Sequence, residues 1–130
     1  MSIVRAHDPR GSLVAIEELS SVPFSMRRVF VISDVPMNSI RGNHAHYKSD
    51  QFLVAISGSC KVVLDDGCDV KEYCLSASSD GVFQPAGVWG VMRDFSFDCV
   101  LLVAASDLYN PNDYIHDYEV FKKWKMNSES

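Results

Sequence analysis

The chain lacks most of the features that would place it in a class at once. No apolar run approaches the roughly 18 residues of a helical membrane span. Met1–Arg10 is charged and interrupted by Pro9, without the apolar centre of a secretory signal, so export by that route is not expected. Cations are in the minority: 12 Lys and Arg against 17 Asp and Glu leave a net charge of −5. Affinity for a phosphate backbone comes from clustered cations, so neither nucleic-acid binding nor polybasic docking on a membrane is expected. The 4 cysteines, Cys60, Cys68, Cys74 and Cys99, form no C-x-x-C pair. They read as reduced thiols, with Cys60, Cys74 and Cys99 packed as small hydrophobes, and a cytoplasmic location follows. There is no internal repeat, no linker and little helical periodicity.

What remains is one domain, residues 1–130, with 47% apolar residues. A chain of this length buries roughly two-thirds of its unfolded surface and needs no disulfide or metal to fold. Short apolar segments alternate with breakers. Ser12–Glu17, Met26–Ile32, Gln51–Ser57, Ser59–Leu64, Val70–Leu75, Gly81–Gln84, Val88–Arg93 and Cys99–Ala105 read as strands. In the second, Arg27, Val29 and Val31 face one way, and Met26, Arg28, Phe30 and Ile32 the other. Asp65-Asp66-Gly67 is a hairpin turn signal. Regular short strands with Gly and Pro turns predict a sandwich or barrel. The exception is Asp113–Met126, where Tyr114, Tyr118 and Phe121 fall at helical spacing and lysines gather at the end. It is expected to be an amphipathic helix capped by Asn112 or Asp113.

The densest chemistry is Arg41-Gly42-Asn43-His44-Ala45-His46, which holds two of the 4 histidines. Residues two apart on a strand share a face, so the two imidazoles project together. Such a pair can ligate a metal or share acid–base work. The segment resembles the first half of the cupin pattern, whose metal-binding members supply three imidazoles and a carboxylate. Gln51 stands where that carboxylate is expected, and Gly58 closes the first half. Pro85-Ala86-Gly87-Val88-Trp89 follows in the second half, and Gly90 stands where the third histidine belongs. Two imidazoles and a neutral amide are too few for a well-held catalytic metal. The expectation is therefore an all-β, cupin-like barrel with a short C-terminal helix, no metal and no cofactor. Its histidines would work as acid and base near their ordinary pKa of ~6.5.

A longer ordered set of residues resembles one family within that fold. Arg10-Gly11-Ser12-Leu13, Arg41-Gly42-x-His44-Ala45-His46, Gly58 to Val62, Asp66-Gly67, Pro85-x-x-Val88-Trp89, Asp94-Phe95-Ser96, Asp98 to Leu101 and Asp113-Tyr114-Ile115 together look like the WxcM-like sugar 3,4-ketoisomerases. The resemblance implies a jelly-roll barrel that forms a homodimer with exchanged N-terminal strands. It implies as substrate a dTDP-linked 4-keto-6-deoxyhexose, converted to its 3-keto isomer. An aminotransferase would then use the product to make a 3-amino sugar for surface polysaccharide, including lipopolysaccharide.

On that reading His44 and His46 are the base and proton carrier, in either order. Arg41 binds substrate or the developing negative oxygen, and Arg28 and Arg93 meet the diphosphate. Gln51 orients a histidine or bonds a sugar hydroxyl, and Trp89 lines the sugar pocket. The chain departs from the family at Gly90, usually histidine, and at Phe30-Val31, where a tyrosine is common. Those departures leave an alternative, a catalytically silent nucleotide-sugar-binding cupin that assists a transferase or aminotransferase.

Overall fold

The alternating segments become strands in the computed structural model, which describes residues 3–129. Val4–Asp8 (β1) and Gly11–Ala15 (β2) form a separate antiparallel hairpin. Arg28–Ser33 (β3), Val100–Ala105 (β10), Gln51–Ser57 (β5) and Val82–Gln84 (β8) make a four-stranded sheet in the order β3-β10-β5-β8. Tyr114–Ile115 (β11), Arg41–His46 (β4), Trp89–Arg93 (β9), Ser59–Asp65 (β6) and Val70–Ser76 (β7) make a five-stranded sheet in the order β11-β4-β9-β6-β7. The last element is the helix Tyr118–Glu129 (α1). No helix among the described residues is long and apolar enough to cross a membrane.

The two larger sheets face each other over a core built from alternate residues of each: Ile32, Leu53, Ala55, Leu101 and Val103 on one side, Cys60, Val62, Leu64 and Leu75 on the other. This is the expected all-β barrel with one C-terminal helix. β5 is an unbroken apolar run because both of its faces are covered. Leu53 and Ala55 point into the barrel, while Phe52 and Val54 pack outward against Ile3, Val22 and Phe24 of the N-terminal segment. Helix α1 covers the outside of the other sheet, where Phe121 meets Ala45, Trp89 and Ile115.

Three expectations are corrected. Helix α1 begins at Tyr118, not Asp113, and its cap is Asp117, whose carboxylate accepts the backbone N–H groups of Glu119 and Val120. Asp113 instead accepts the N–H groups of Lys48 and Ser49, and Tyr114 and Ile115 pair as a strand with His46 and Ala45. The helical spacing of Tyr114 was a coincidence that hid a strand. Charge likewise hid β1, whose Arg5 guanidinium donates to the carbonyls of Ala55, Ser76 and Ser79 and ties the hairpin to the barrel. All 4 cysteines are free, but Cys74 is exposed; only Cys60 and Cys99 are buried. Burial pushes the Cys60 thiol up to about 12, so it is chemically inert.

The turn between β5 and β6 depends on Gly58. Its φ of 66° is left-handed, and a Cβ there would lie 2.6 Å from the Cys99 backbone. Both effects act against any side chain. Gly58→Ala should therefore cost at least about 2 kcal/mol in urea unfolding, a loss well above that of an ordinary surface change.

Candidate active site

β4 delivers the histidine pair through a bulge. Gly42 pairs with Val91 and His44 with Gly90, so Asn43 is left over, and both Gly42 (φ 85°) and Asn43 (φ 55°) take left-handed backbone. Such bulges re-aim the side chains that follow. The imidazoles of His44 and His46 then stand edge to face, 4.9 Å between centroids. His44 lines a cavity of about 280 Å³ with Phe30, Ile32, Arg41, Gln51, Met92, Tyr114 and His116. His46 lies deeper and is 2% exposed.

Hydrogen-bond partners assign the tautomers. His44 Nδ1 is 3.1 Å from the Gly42 carbonyl, which can only accept, so the proton sits on Nδ1 and Nε2 carries the free lone pair. Gln51 Nε2 lies 3.4 Å from His46 Nε2; an amide nitrogen only donates, so His46 accepts there and is protonated on Nδ1. Burial lowers the pKa of His44, against the opposing pull of the Gly42 carbonyl, and His116 and Arg41 lower it further. Burial pushes His46 down to about 3, helped by His44, Arg28 and His116. Both rings are thus neutral near pH ~7. A base must be neutral to act, so a reaction that uses the His44 lone pair fails on acidification only as that ring takes up its proton. Because its pKa is lowered, the acid limb of kcat should have its midpoint below the ordinary imidazole value of ~6.5. A kcat–pH series with the midpoint at or above that value contradicts the use of His44 as a base with a lowered pKa.

Two residues that the sequence reading missed complete the site. Tyr114 sits 5.0 Å from His44 and 4.5 Å from His46, and it stacks on His116 at 5.4 Å with a 9° interplanar angle. His116 is 6.0 Å from His44, at the cavity edge. Both come from the segment read as helix. The signal that could have found them is Asp117, a helix cap placed after them.

The sequence candidates divide by face. His44, Arg41 and Gln51 line the cavity, and His46 stands directly behind it. Arg28 is adjacent: its guanidinium donates to the Tyr114 hydroxyl at 3.4 Å and lies over the Phe30 and Tyr109 rings, while its buried Nε has no hydrogen-bond partner. Trp89 and Arg93 are not brought to the cavity. On β9 Met92 faces inward, so by alternation Trp89, Val91 and Arg93 face outward. Trp89 packs under α1 against Tyr118 and Phe121, and Arg93 pairs with Glu72 at 3.2 Å on the surface. No group of three or more His, Cys, Asp or Glu side chains among the described residues is placed to hold a metal ion.

The chain is similar to known proteins along nearly its whole length. The model of the FdtA family, described as WxcM-like, C-terminal, matches residues 1–126. A TDP-4-oxo-6-deoxy-alpha-D-glucose-3,4-oxoisomerase of Aneurinibacillus thermoaerophilus is 49% identical over 124 residues, covering 94% of this chain and 89% of that protein. The crystal structure of a 3,4-ketoisomerase from Helicobacter canadensis superposes with a TM-score of 0.89 at 40% identity, over 96% of this chain and 94% of the other. A mutant of the 3,4-ketoisomerase QdtA from Thermoanaerobacterium thermosaccharolyticum, in complex with TDP-4-keto-6-deoxyglucose, superposes with a TM-score of 0.90 at 33% identity, over 97% and 91% of the two chains.

Proposed function

Since this chain belongs to the FdtA family of WxcM-like domains and is a dTDP-sugar 3,4-ketoisomerase, we propose that His44 is the base that moves the ketone of a dTDP-4-keto-6-deoxyhexose from C4 to C3. The C4 carbonyl acidifies the proton on C3. His44 Nε2 removes it, giving an enediolate, and the resulting imidazolium returns a proton to carbon at C4. The hydroxyl proton passes from O3 to O4, so the product is an isomer and no electron acceptor enters. The observation that carries this assignment is the hydrogen bond from His44 Nδ1 to Gly42, which leaves Nε2 free on a ring that lines the cavity.

The other roles follow from position. His46, kept neutral by burial, packs its ring edge to face against His44 and is the second histidine of the proton relay. Gln51 fixes the His46 ring. Arg41 at the cavity wall stabilises the negative oxygen or binds substrate. Arg28, with an unpartnered Nε, is the arginine proposed to meet the diphosphate. Trp89 and Arg93 are left out of this set by their outward face. The product would supply an aminotransferase making 3-amino sugars, and the reaction is assigned to the cytoplasm, where the four thiols stay reduced.

A homodimer with exchanged N-terminal strands belongs to the same proposal. β3 is a sheet edge whose Val29 and Val31 are 54% and 56% exposed, and the β1–β2 hairpin adds Val4 and Leu13 at 53% and 57%. Open edges with exposed apolar residues favour pairing with a second copy. Sedimentation should give about twice the 14.5 kDa chain mass; a monomer contradicts the dimer. For the reaction itself, purified protein incubated with dTDP-4-keto-6-deoxyglucose is followed by proton NMR. The 3-keto isomer is expected, and its absence overturns the reading.

A further inference from the structure

Gly90 has no left-handed φ, so its backbone does not call for glycine. Its surroundings do. A Cβ built on Gly90 would have three atoms of Gln84 as its nearest neighbours: Nε2 at 2.5 Å, and Cδ and Oε1 at 2.8 Å. The Gln84 amide occupies the space into which a side chain from β9 would project. It is 5% exposed, and its Nε2 donates 3.0 Å to the Val88 carbonyl, which pins the amide in that place.

Two cross-strand pairs join this amide to the histidines. Gly90 lies directly opposite His44 across β4–β9, and Gln84 lies directly opposite Gln51 across β5–β8. Opposite residues of an antiparallel pair share a face, with Cβ atoms roughly 5 Å apart. Gln51 in turn donates to His46. A single buried amide therefore lies over the β9 residue opposite His44 and beside the residue that fixes His46. A glycine with nothing over it would leave a void beside the His44 backbone, and voids let neighbouring side chains wander.

We propose that Gln84 is a positioning residue of the isomerase site, holding the His44 strand and Gln51 in place by filling the space over Gly90; this rests on the reading of His44 and His46 given above. Gln84 touches no reacting atom. Its effect is on the geometry of the pair, where displacements well under 1 Å matter to rate.

The test uses Gly90→Ala, Gln84→Ala and the double variant in the full chain. Gly90→Ala is backbone-compatible and its new methyl collides first with Gln84, so it displaces the amide without a hole. Each single change should lower kcat roughly tenfold with KM for dTDP-4-keto-6-deoxyglucose within about twofold. In the Gln84→Ala background, Gly90→Ala meets empty space and should lower kcat no further. The imidazole ¹⁵N signals of His46 should shift in both single variants, a response that loss of stability alone does not produce. Single variants that keep kcat within twofold, or losses that multiply in the double variant, overturn the inference. An unaltered chain that makes no 3-keto product overturns the functional reading and this inference with it. An active unaltered chain with fully active variants overturns the inference alone.

Discussion

Replacing His44 with asparagine should lower kcat roughly a thousandfold and leave dTDP affinity within about threefold. The asparagine amide can still donate to the Gly42 carbonyl as His44 Nδ1 does, so the bulge keeps a partner. It has no basic lone pair, so the C3 proton has no acceptor. The nucleotide is proposed to bind through Arg28, on a different strand, and should scarcely register the change. NMR progress curves give kcat, and titration calorimetry with dTDP gives the affinity. Turnover within tenfold of the unaltered chain would move the base to another residue, and lost dTDP binding would make His44 a binding group.

The second large effect is on stability. Phe121 is fully buried between Trp89, Ala45 and Ile115, and among the described residues it is the largest side chain with no exposure. Truncating a buried phenylalanine costs about 3–5 kcal/mol, transfer and cavity together. Phe121→Ala should therefore lower Tm by about 10 °C or more. The loss also reaches the site, because Ile115 packs on Phe121 and belongs to β11, which brings Tyr114 beside both histidines. kcat should drop while the variant is still folded. A variant that melts early with unchanged kcat would show that β11 holds its place without the helix.

The division between what the sequence disclosed and what it withheld follows from periodicity. His44 and His46 were legible as a pair because strand alternation puts residues two apart on one face, and the bulge at Asn43 precedes the pair without disturbing that spacing. Gln51 was legible by its distance from them along the chain. Tyr114 and His116 were not, because Tyr114, Tyr118 and Phe121 satisfy a helical period that only Tyr118 and Phe121 use. Trp89 and Arg93 share one face of β9, but nothing in their spacing says which face is inward. That is decided by Met92 and by Gly90, whose inner side is taken by Gln84. The absence of a histidine at Gly90 reads from sequence as a loss. In the fold the same space is filled from β8.

The central claim is that His44 takes the C3 proton, and the most direct measurement is solvent exchange. Unaltered protein and the His44→Asn variant are each incubated with dTDP-4-keto-6-deoxyglucose in deuterated water, and the sugar ring protons are followed by NMR. The unaltered chain should wash deuterium into the ring as the 3-keto isomer forms, while His44→Asn, still binding dTDP, should leave the C3 proton in place. Exchange at C3 by the variant at the rate of the unaltered chain would contradict the claim.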